Sequence, residues 1–333
     1  MEKILVTGGA GYLGAVLVPK LVRAGHFVRV LDLFLYGDKD LFSPELIKTG
    51  RLDLIRGDLR DIPLVRELLK GMTTVIHLAG ISNDPSSDLD PELTRAVNIK
   101  ASEHLIDAAR ELGIKRFINA SSSSVYGIKE EPEVTETLSL EPLTVYSESK
   151  ALIEDYLETH KGSMVSVSVR SATICGYSPR MRLDLTVNIL THHAIQKGKI
   201  LVFGGSQKRP NIHIDDISNL YLELVTAESE QIDGEKFNAC GANHTVQALA
   251  DLVQKTVAPQ CPIEVVPTND LRSYHISAEH LKKKLGFSPK KTIADAIKDV
   301  ATAFKENRFP DPDSDRYYNV RVMKKVLQPE SLR

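Results

Sequence analysis

The sequence contains no tryptophan and only three cysteines, Cys175, Cys240 and Cys261. The cysteines lie far apart and form no C-x-x-C pair, so the spacing typical of thiolate metal sites and redox motifs is missing. The adjacent histidines His192 and His193 would face different ways on a helix. We therefore expect reduced thiols, as in a cytoplasmic protein, and no metal site.

Strong net charge and long apolar runs are missing as well. The 42 Lys and Arg residues nearly balance the 44 Asp and Glu residues, which gives a net charge of −2. Such a chain has no overall basic field to attract nucleic acid. No apolar run approaches the ~20 residues of a membrane-spanning helix, and the first predicted strand begins at once, without a leader pattern. We expect a soluble cytoplasmic protein with no nucleic-acid or membrane partner.

The N-terminal segment carries the clearest pattern. Residues 3–32 read KILVTGGAGYLGAVLVPKLVRAGHFVRVLD. A short apolar run typical of a buried strand is followed by four closely spaced glycines, an amphipathic helical stretch, a second apolar run and an acid. This order predicts a mononucleotide-binding βαβ unit.

The glycines and the acid indicate which nucleotide this unit binds. Gly8 and Gly11 leave the backbone bare, so that a pyrophosphate can approach a helix N-terminus, where N–H groups and the helix dipole favour an anion. Gly14 allows the helix to pack closely on the strands. Asp32 ends the second strand, where a carboxylate accepts hydrogen bonds from a ribose diol and repels a 2′-phosphate. The segment therefore predicts NAD rather than NADP.

Strands and helices continue to alternate up to residue 120. We predict strands at 52–56, 74–80 and 116–120, and helices at 63–69 and 91–112. Alternation of this kind indicates an α/β fold with a parallel sheet and right-handed crossovers. Ligands bind such sheets at the carboxyl ends of the strands. The further predicted cofactor contacts are therefore Tyr12, Leu13, Asp58, Leu59, Leu78, Ala79, Gly80 and Asn98. For Asp58 two roles stay open: a hydrogen bond with the adenine amino group, or a helix N-cap.

Candidate catalytic residues follow the fifth predicted strand. Tyr146 and Lys150 stand at positions i and i+4, which places them on one face of a helix. A nearby ammonium favours the phenolate and lowers the pKa of a tyrosine, which makes Tyr146 a candidate general base toward a sugar or alcohol hydroxyl. Ser122, at the end of the strand, could hydrogen-bond the same substrate oxygen. Taken alone, a Y-x-x-x-K pair is usually solvated surface; here it follows the glycine turn and a serine run.

Together these motifs resemble those of a known family. TGGAGYLG, the strand-end Asp32, GDLRD, HLAG, SSSSVYG and YSESK stand in the order and spacing of the extended short-chain dehydrogenase/reductases. More narrowly, residues 3 to about 286 are similar to the nucleotide-sugar epimerase/dehydratase branch. The resemblance implies a doubly wound parallel Rossmann sheet with a smaller C-terminal α/β substrate lobe. It also implies NAD as cofactor, Tyr146 as base, Lys150 on the nicotinamide ribose and Ser122 as the catalytic serine.

The second half also resembles this branch, and it supplies the candidate substrate residues. A nucleotide diphosphate carries about two negative charges, and arginine binds phosphate oxygens through a planar fork. The segment RSATICG stands where the family commonly has R-x-x-N-V-Y-G, with Thr173 in place of the Asn. The predicted substrate contacts are Ser123, Ser124, Thr173, Arg182, Asn188, Arg209 and Arg272. The alternative for each arginine is a solvated or ion-paired surface residue.

The function predicted from these residues is an NAD-dependent nucleotide-sugar epimerase that transiently oxidises a sugar hydroxyl. A 4,6-dehydratase would need the acid pair that the family places at positions 123 and 124, which are both serine here. A ketoreductase stays open, although Asp32 disfavours NADPH, and a non-catalytic regulator would tend to lose Tyr146 or Lys150. We expect an NAD domain at 1–170, a mainly substrate-binding lobe at 171–310, a tail at 311–333, and a homodimer.

Overall fold

The computed structural model of the chain describes residues 1–37, 41–268 and 273–328. The predicted βαβ unit is present and continues as an alternating series of strands and helices. The elements up to the fifth strand are β1 (Lys3–Thr7), α1 (Gly14–Arg23), β2 (Phe27–Asp32), α2 (Pro44–Lys48), β3 (Leu52–Arg56), α3 (Ile62–Leu69), β4 (Thr74–His77), α4 (Asp84–Ser87), α5 (Pro91–Arg95), α6 (Ala101–Glu111) and β5 (Arg116–Ser122).

The rest of the chain contains shorter strands and longer connections. Its elements are α7 (Val145–His160), β6 (Val165–Ser171), β7 (Thr173–Cys175), α8 (Thr186–His192), β8 (Ile200–Phe203), β9 (Lys208–His213), α9 (Ile214–Thr226), α10 (Ser229–Ile232), β10 (Glu235–Ala239), β11 (Ala242–Thr245), α11 (Val246–Val257), β12 (Ile263–Val266), α12 (Glu279–Leu285), α13 (Ile293–Lys305) and α14 (Asn319–Val326).

Within the described part of the chain, seven strands form one sheet in the order β10-β6-β5-β4-β1-β2-β3. Every neighbouring pair in it is parallel. Strands of such a sheet are covered by helices on both faces and are therefore apolar throughout, as shown by Ile4, Leu5 and Val6, which are all 0% exposed. The strand order reverses at β1, as in a doubly wound sheet. The predicted fold class is confirmed.

The predicted helix over 91–112 is not a continuous α-helix. Residues 96–100 form a π-helical segment between α5 and α6, and π turns of this kind often occur at functional sites. The segment carries Asn98, whose side chain oxygen accepts from the Ile81 amide at 2.8 Å while its Nδ2 donates to the Ile81 carbonyl at 3.1 Å. Asn98 therefore holds the loop that follows β4.

The second lobe is built from segments that leave the sheet after β6. The described residues there form a three-stranded sheet, β11-β9-β7, and a parallel pair, β12-β8. The chain then returns, because β10 pairs with β6 at the edge of the main sheet, with Phe237 opposite Val169. Residues 1–170 and 171–310 are thus interleaved at this edge, and their exact division stays a prediction.

The C-terminal segment folds back against the main sheet. The α14 residue Asn319 donates to Ser82 Oγ at 3.0 Å, just after β4, and its amide donates to Asp184 Oδ2 at 2.9 Å. Tyr317 and Tyr318 are buried beside Phe309. No helix in the described part of the chain is long and apolar enough to cross a membrane.

Candidate active site

A cavity of about 420 Å³ opens at the carboxyl edge of the seven-stranded sheet. Most of the predicted site residues line it, as expected for a ligand site at the strand ends of a parallel sheet. They are Gly8, Gly11, Tyr12, Leu13, Gly14, Asp32, Asp58, Leu59, Leu78, Ala79, Gly80, Ser122, Ser123, Ser124, Tyr146, Lys150, Thr173 and Arg182. The walls do not include Asn98, Asn188 or Arg209, and Arg272 lies outside the described residues.

The glycine turn forms one wall of the cavity. Gly8 has a φ of +71°, and a Cβ there would lie 2.6 Å from the backbone nitrogen of Ala79. A Cβ on Gly14 would lie 2.4 Å from the carbonyl oxygen of Gly9. Neither position accepts a side chain. The turn thereby brings the N-terminus of α1 to the cavity, where its N–H groups and dipole favour an anion.

Asp32 closes the turn from the end of β2. Its Oδ2 accepts from the Ala10 amide at 2.9 Å and its Oδ1 from the Phe34 amide at 2.8 Å. Burial raises the pKa of Asp32, and these two amides and the nearby Arg180 act against that rise. The carboxylate is thus fixed in the cavity wall with lone pairs left for a diol.

Asp58 has a partner of its own at the end of β3. Its carboxylate pairs with the guanidinium of Arg60, with 2.6 Å between Oδ2 and Nη2, and also accepts from the Arg60 amide at 2.8 Å. The Arg60 side chain and amide lower the pKa of Asp58. The N-cap of α3 is Asp61 instead. Of the two open roles, the N-cap is therefore wrong, and contact with an adenine stays a prediction.

The candidate catalytic residues meet between β5 and α7. Ser122 lies beside Tyr146, where its hydroxyl acts to lower the pKa of the phenol, and the Ser124 hydroxyl donates to Ser122 Oγ at 2.9 Å. The Lys150 ammonium donates to the Ala120 carbonyl at 2.7 Å and lies 5.8 Å from the centre of the Tyr146 ring. The helix that carries Tyr146 and Lys150 begins at a capping box formed by Thr144 and Ser147, which fixes its first turn.

The electrostatics of this cluster differ from the sequence expectation in one respect. Burial raises the pKa of Tyr146 to about 12, and the charge of Asp84 acts in the same direction, while Ser122 and Arg182 oppose it. Burial also lowers the pKa of Lys150 to about 8. The predicted lowering of the tyrosine pKa by Lys150 is thus wrong for this structure. Removing the phenol from water has the larger effect, and the ammonium is turned toward Ala120.

Some of the predicted substrate residues line the cavity and others do not. Arg182 lies at the cavity wall and pairs with Asp184, with 2.9 Å between Nε and Oδ1. Asn188 is fully buried. Its side chain accepts from the Gly176 amide and donates to the Arg182 carbonyl and the Tyr12 hydroxyl. It supports the wall from behind.

Arg209 lies on β9, and its Nη1 donates to the Lys208 carbonyl at 3.1 Å. Its side chain is almost buried, and it is not part of the cavity wall among the described residues. A contact with substrate at this position stays a prediction, as it does for Arg272.

Sequence reasoning missed several residues of the cavity. Arg180 and Tyr36 line it, and the Arg180 guanidinium carbon lies 3.8 Å from the centre of the Tyr36 ring. Three residues of the C-terminal helix, Asn319, Met323 and Val326, line it as well. No local motif marks them, since they reach the site only through the fold.

The comparison with known proteins decides the family. The model of the NAD-dependent epimerase/dehydratase family matches residues 4–240. The chain belongs to this family. It is therefore an enzyme of the family that acts on nucleotide sugars, and NAD is its cofactor.

Relatives match over almost the whole chain. The UDP-glucose 4-epimerase of Corynebacterium glutamicum is 26% identical over 325 residues, which cover 91% of this chain and 95% of that protein. The UDP-glucuronic acid decarboxylase 1 of Arabidopsis thaliana is 29% identical over 327 residues, covering 94% and 72%. Among solved structures, the UDP-glucose 4-epimerase of Thermotoga maritima with UDP-glucose matches with a TM-score of 0.81 at 25% identity, covering 92% and 99%.

The residues of the cavity fit NAD. Side chains cannot occupy the positions of Gly8 and Gly14, so the turn keeps room for a phosphate above α1. Tyr12 and Leu13 line the cavity, and their amides have no acceptor among the described residues. Asp32 stands in the same wall, where it can hold a ribose diol. These residues would hold the adenosine and pyrophosphate parts of the cofactor, and Tyr146 and Lys150 would face its nicotinamide part.

Proposed function

We propose that this enzyme is a nucleotide-sugar epimerase that acts by transient oxidation of a sugar hydroxyl, with Tyr146 as the base. The observation that carries the proposal is that Tyr146 and Ser122 line the same cavity as the glycine turn, with Ser122 close enough to the phenol to oppose the rise of its pKa. A phenol and a hydroxyl at one point can hold one substrate oxygen and exchange its proton. NAD, when bound, accepts a hydride from the sugar carbon and can return it to the opposite face.

The chain's own groups are arranged for proton transfer. The Ser124 hydroxyl donates to Ser122 Oγ at 2.9 Å, and Ser122 lies beside Tyr146, so the three hydroxyls surround the point where a substrate hydroxyl would give up its proton. The Lys150 ammonium stands on the same face of α7, where it would contact the nicotinamide ribose of the cofactor.

Two other reactions of the family are less well supported by this site. Dehydration requires an acid and a base beyond the tyrosine, and positions 123 and 124 supply only hydroxyl groups, which do not titrate at neutral pH. Ser123 and Ser124 both line the cavity and would contact the sugar. A ketoreductase that releases its cofactor is the second candidate, and the buried Asp32 disfavours the NADPH that such an enzyme often uses.

The substrate proposal is a nucleotide diphosphate sugar. Of the predicted substrate arginines, Arg182 is the one that lines the cavity in the described part of the chain, and its charge acts to lower the pKa of Tyr146. Thr173 lines the cavity as well. Arg209 and Arg272 are proposed as further phosphate ligands.

Product analysis tests the proposal. The purified enzyme is incubated with UDP-, dTDP-, GDP- and CDP-sugars, including UDP-glucuronic acid, and the products are followed by mass spectrometry and NMR in deuterated water. An epimerase gives a product of unchanged mass without deuterium on carbon. Loss of water indicates a dehydratase and loss of carbon dioxide a decarboxylase, and turnover only with added NADH or NADPH indicates a reductase. Each of these would replace the proposal.

We also propose a cytoplasmic homodimer. Leu112 at the end of α6 and Leu152 on α7 are large apolar side chains that are 37% and 43% exposed. The two helices pack against each other. Light scattering after gel filtration would give the mass of two chains, and the mass of one would refute the dimer.

A further inference from the structure

Arg180 is a buried cation in the cavity wall. It is 3% exposed and forms no ion pair with a carboxylate among the described residues. Its Nη2 donates to Asn319 Oδ1 at 2.5 Å, and its Nη1 reaches the Met181 carbonyl at only 3.5 Å. Its Nε has no hydrogen-bond partner in the part of the chain that the structure describes. A charge removed from water costs several kcal/mol unless it is paired and hydrogen-bonded, so this guanidinium has unused capacity for an anion.

The position of Arg180 indicates which anion it meets. It belongs to the segment after β7, yet its partners lie on the cofactor side of the cavity. Its guanidinium stacks on Tyr36, in the loop that follows β2. Its charge is felt by Asp32, at the end of the same strand. Asn319, which accepts a hydrogen bond from Arg180, also donates one to Ser82, just after β4.

The charges around Arg180 leave room for an anion. Asp184 already pairs with Arg182, and Asp32 is held by two backbone amides. Burial and the repulsion of Arg182 lower the pKa of Arg180 to about 10, which still leaves it charged at neutral pH. A diphosphate at the N-terminus of α1, next to the ribose that Asp32 would hold, would supply the missing negative charge, and a guanidinium binds phosphate oxygens through two parallel N–H bonds.

We propose that Arg180 is a ligand of the diphosphate group of NAD, held in place by Tyr36 and by Asn319 of the C-terminal helix. The substrate lobe and the chain terminus thereby complete a cofactor site that begins in the glycine turn. The inference rests on NAD as the cofactor and does not depend on which sugar reaction follows. A nucleotide sugar also carries a diphosphate, so the test has to separate the two sources.

Calorimetric titrations make that separation. Wild type, R180Q and R180K are titrated with NAD and, once saturated with NAD, with UDP. Loss of a hydrogen bond to a charged group predicts about 10- to 150-fold weaker NAD binding in R180Q. R180K keeps the charge without the fork and should lose less. UDP binding should stay unchanged. The matched control is R316Q. Arg316 is an exposed arginine on the C-terminal segment that also carries Asn319, and it lies outside the cavity.

Each other outcome overturns the proposal. Weaker UDP binding with unchanged NAD binding would assign Arg180 to the nucleotide sugar. Unchanged affinity for both would make it a structural residue. Thermal unfolding adds a second readout: R180Q without nucleotide should be as stable as wild type or more so, because an unpaired buried charge is removed, and its stabilisation by NAD should be smaller. If R180Q does not fold, R180K decides the question, since unchanged NAD affinity in R180K would refute the proposal.

Discussion

The ammonium group of Lys150 is fixed by the carbonyl oxygen of Ala120, 2.7 Å away. Ala120 lies on β5, the strand that ends at Ser122, so the lysine of α7 and the serine of the strand are positioned by one backbone segment. A carbonyl is a neutral acceptor and compensates the buried charge less than a carboxylate would. The pKa of Lys150 is accordingly lowered by burial to about 8.

The first prediction concerns stability against pH. Because the folded pKa of Lys150 lies below its unfolded value of 10.5, the unfolded chain binds more protons between about pH 8 and pH 10.5, and stability contributed by this group rises with pH there. Without added nucleotide, the unfolding free energy of wild type minus that of K150M should rise by up to about 3 kcal/mol across this range. Urea unfolding measures it, with the exposed Lys305→Met as control. A flat difference would contradict the prediction.

The second prediction separates chemistry from binding. Tyr146→Phe removes only the hydroxyl and should lower kcat by about 10²- to 10⁴-fold, the usual contribution of a general acid or base, with little change in NAD or UDP affinity. Ser122→Ala should cost somewhat less. Steady-state rates and calorimetry check both. Tyr156→Phe is the control, because Tyr156 lies on the same helix and bonds to Asp107 outside the cavity. Near-normal turnover in Tyr146→Phe would assign the base to another group.

The third prediction concerns cofactor choice. Wild type should bind NAD(H) more tightly than NADP(H), since a 2′-phosphate beside Asp32 is repelled and displaces the hydrogen bonds of the diol. Asp32→Asn should reduce this preference, while Asp53→Asn on the neighbouring strand, where Asp53 pairs with Arg29, should not. Fluorescence titration of both nucleotides gives the ratio. Equal affinities in wild type would show that Asp32 does not hold the ribose.

The fourth prediction concerns the join between the sheet and the second lobe. The Tyr12 hydroxyl donates to the Gly176 carbonyl at 2.6 Å and accepts from Asn188 Nδ2 at 3.0 Å. Tyr12→Phe leaves both partners buried, which should cost about 1–3 kcal/mol of unfolding free energy. Tyr317→Phe is the comparison, because the Tyr317 hydroxyl has no hydrogen-bond partner in the described part of the chain. Equal midpoints of urea unfolding for the two variants would refute the prediction.

Sequence patterns predicted the features that depend on local order. The third strand, Leu52–Arg56, was predicted with its observed bounds, because an apolar run between turn residues has few other conformations in an α/β chain. The glycine turn and the spacing of Tyr146 and Lys150 also place their residues without further information. All of these features are encoded within a few residues of one another.

The features that sequence patterns missed depend on long-range packing. The raised pKa of Tyr146 follows from burial, which a helical spacing does not reveal. Asn188 has the residue type of a substrate ligand, but the folded chain uses all of its bonds internally. Arg180 and Asn319 lie far apart in sequence, and only the return of the C-terminal segment to the sheet brings them together.

Because β10 forms the edge of the main sheet beside β6, the sheet can be completed only after residue 239 has been synthesised. Tyr126 donates to Asn238 on β10 at 2.8 Å, and it accepts from Arg170, whose guanidinium pairs with the buried Glu154 of α7 at 2.6 Å. A nascent chain that has emerged only to residue 170 has neither Asn238 nor the strand that covers β6. The catalytic helix would then rest on a charged network with an open end and an exposed strand edge. We therefore expect the nucleotide-binding half to fold late in synthesis, and gene fragments that stop near residue 170 to yield aggregated protein.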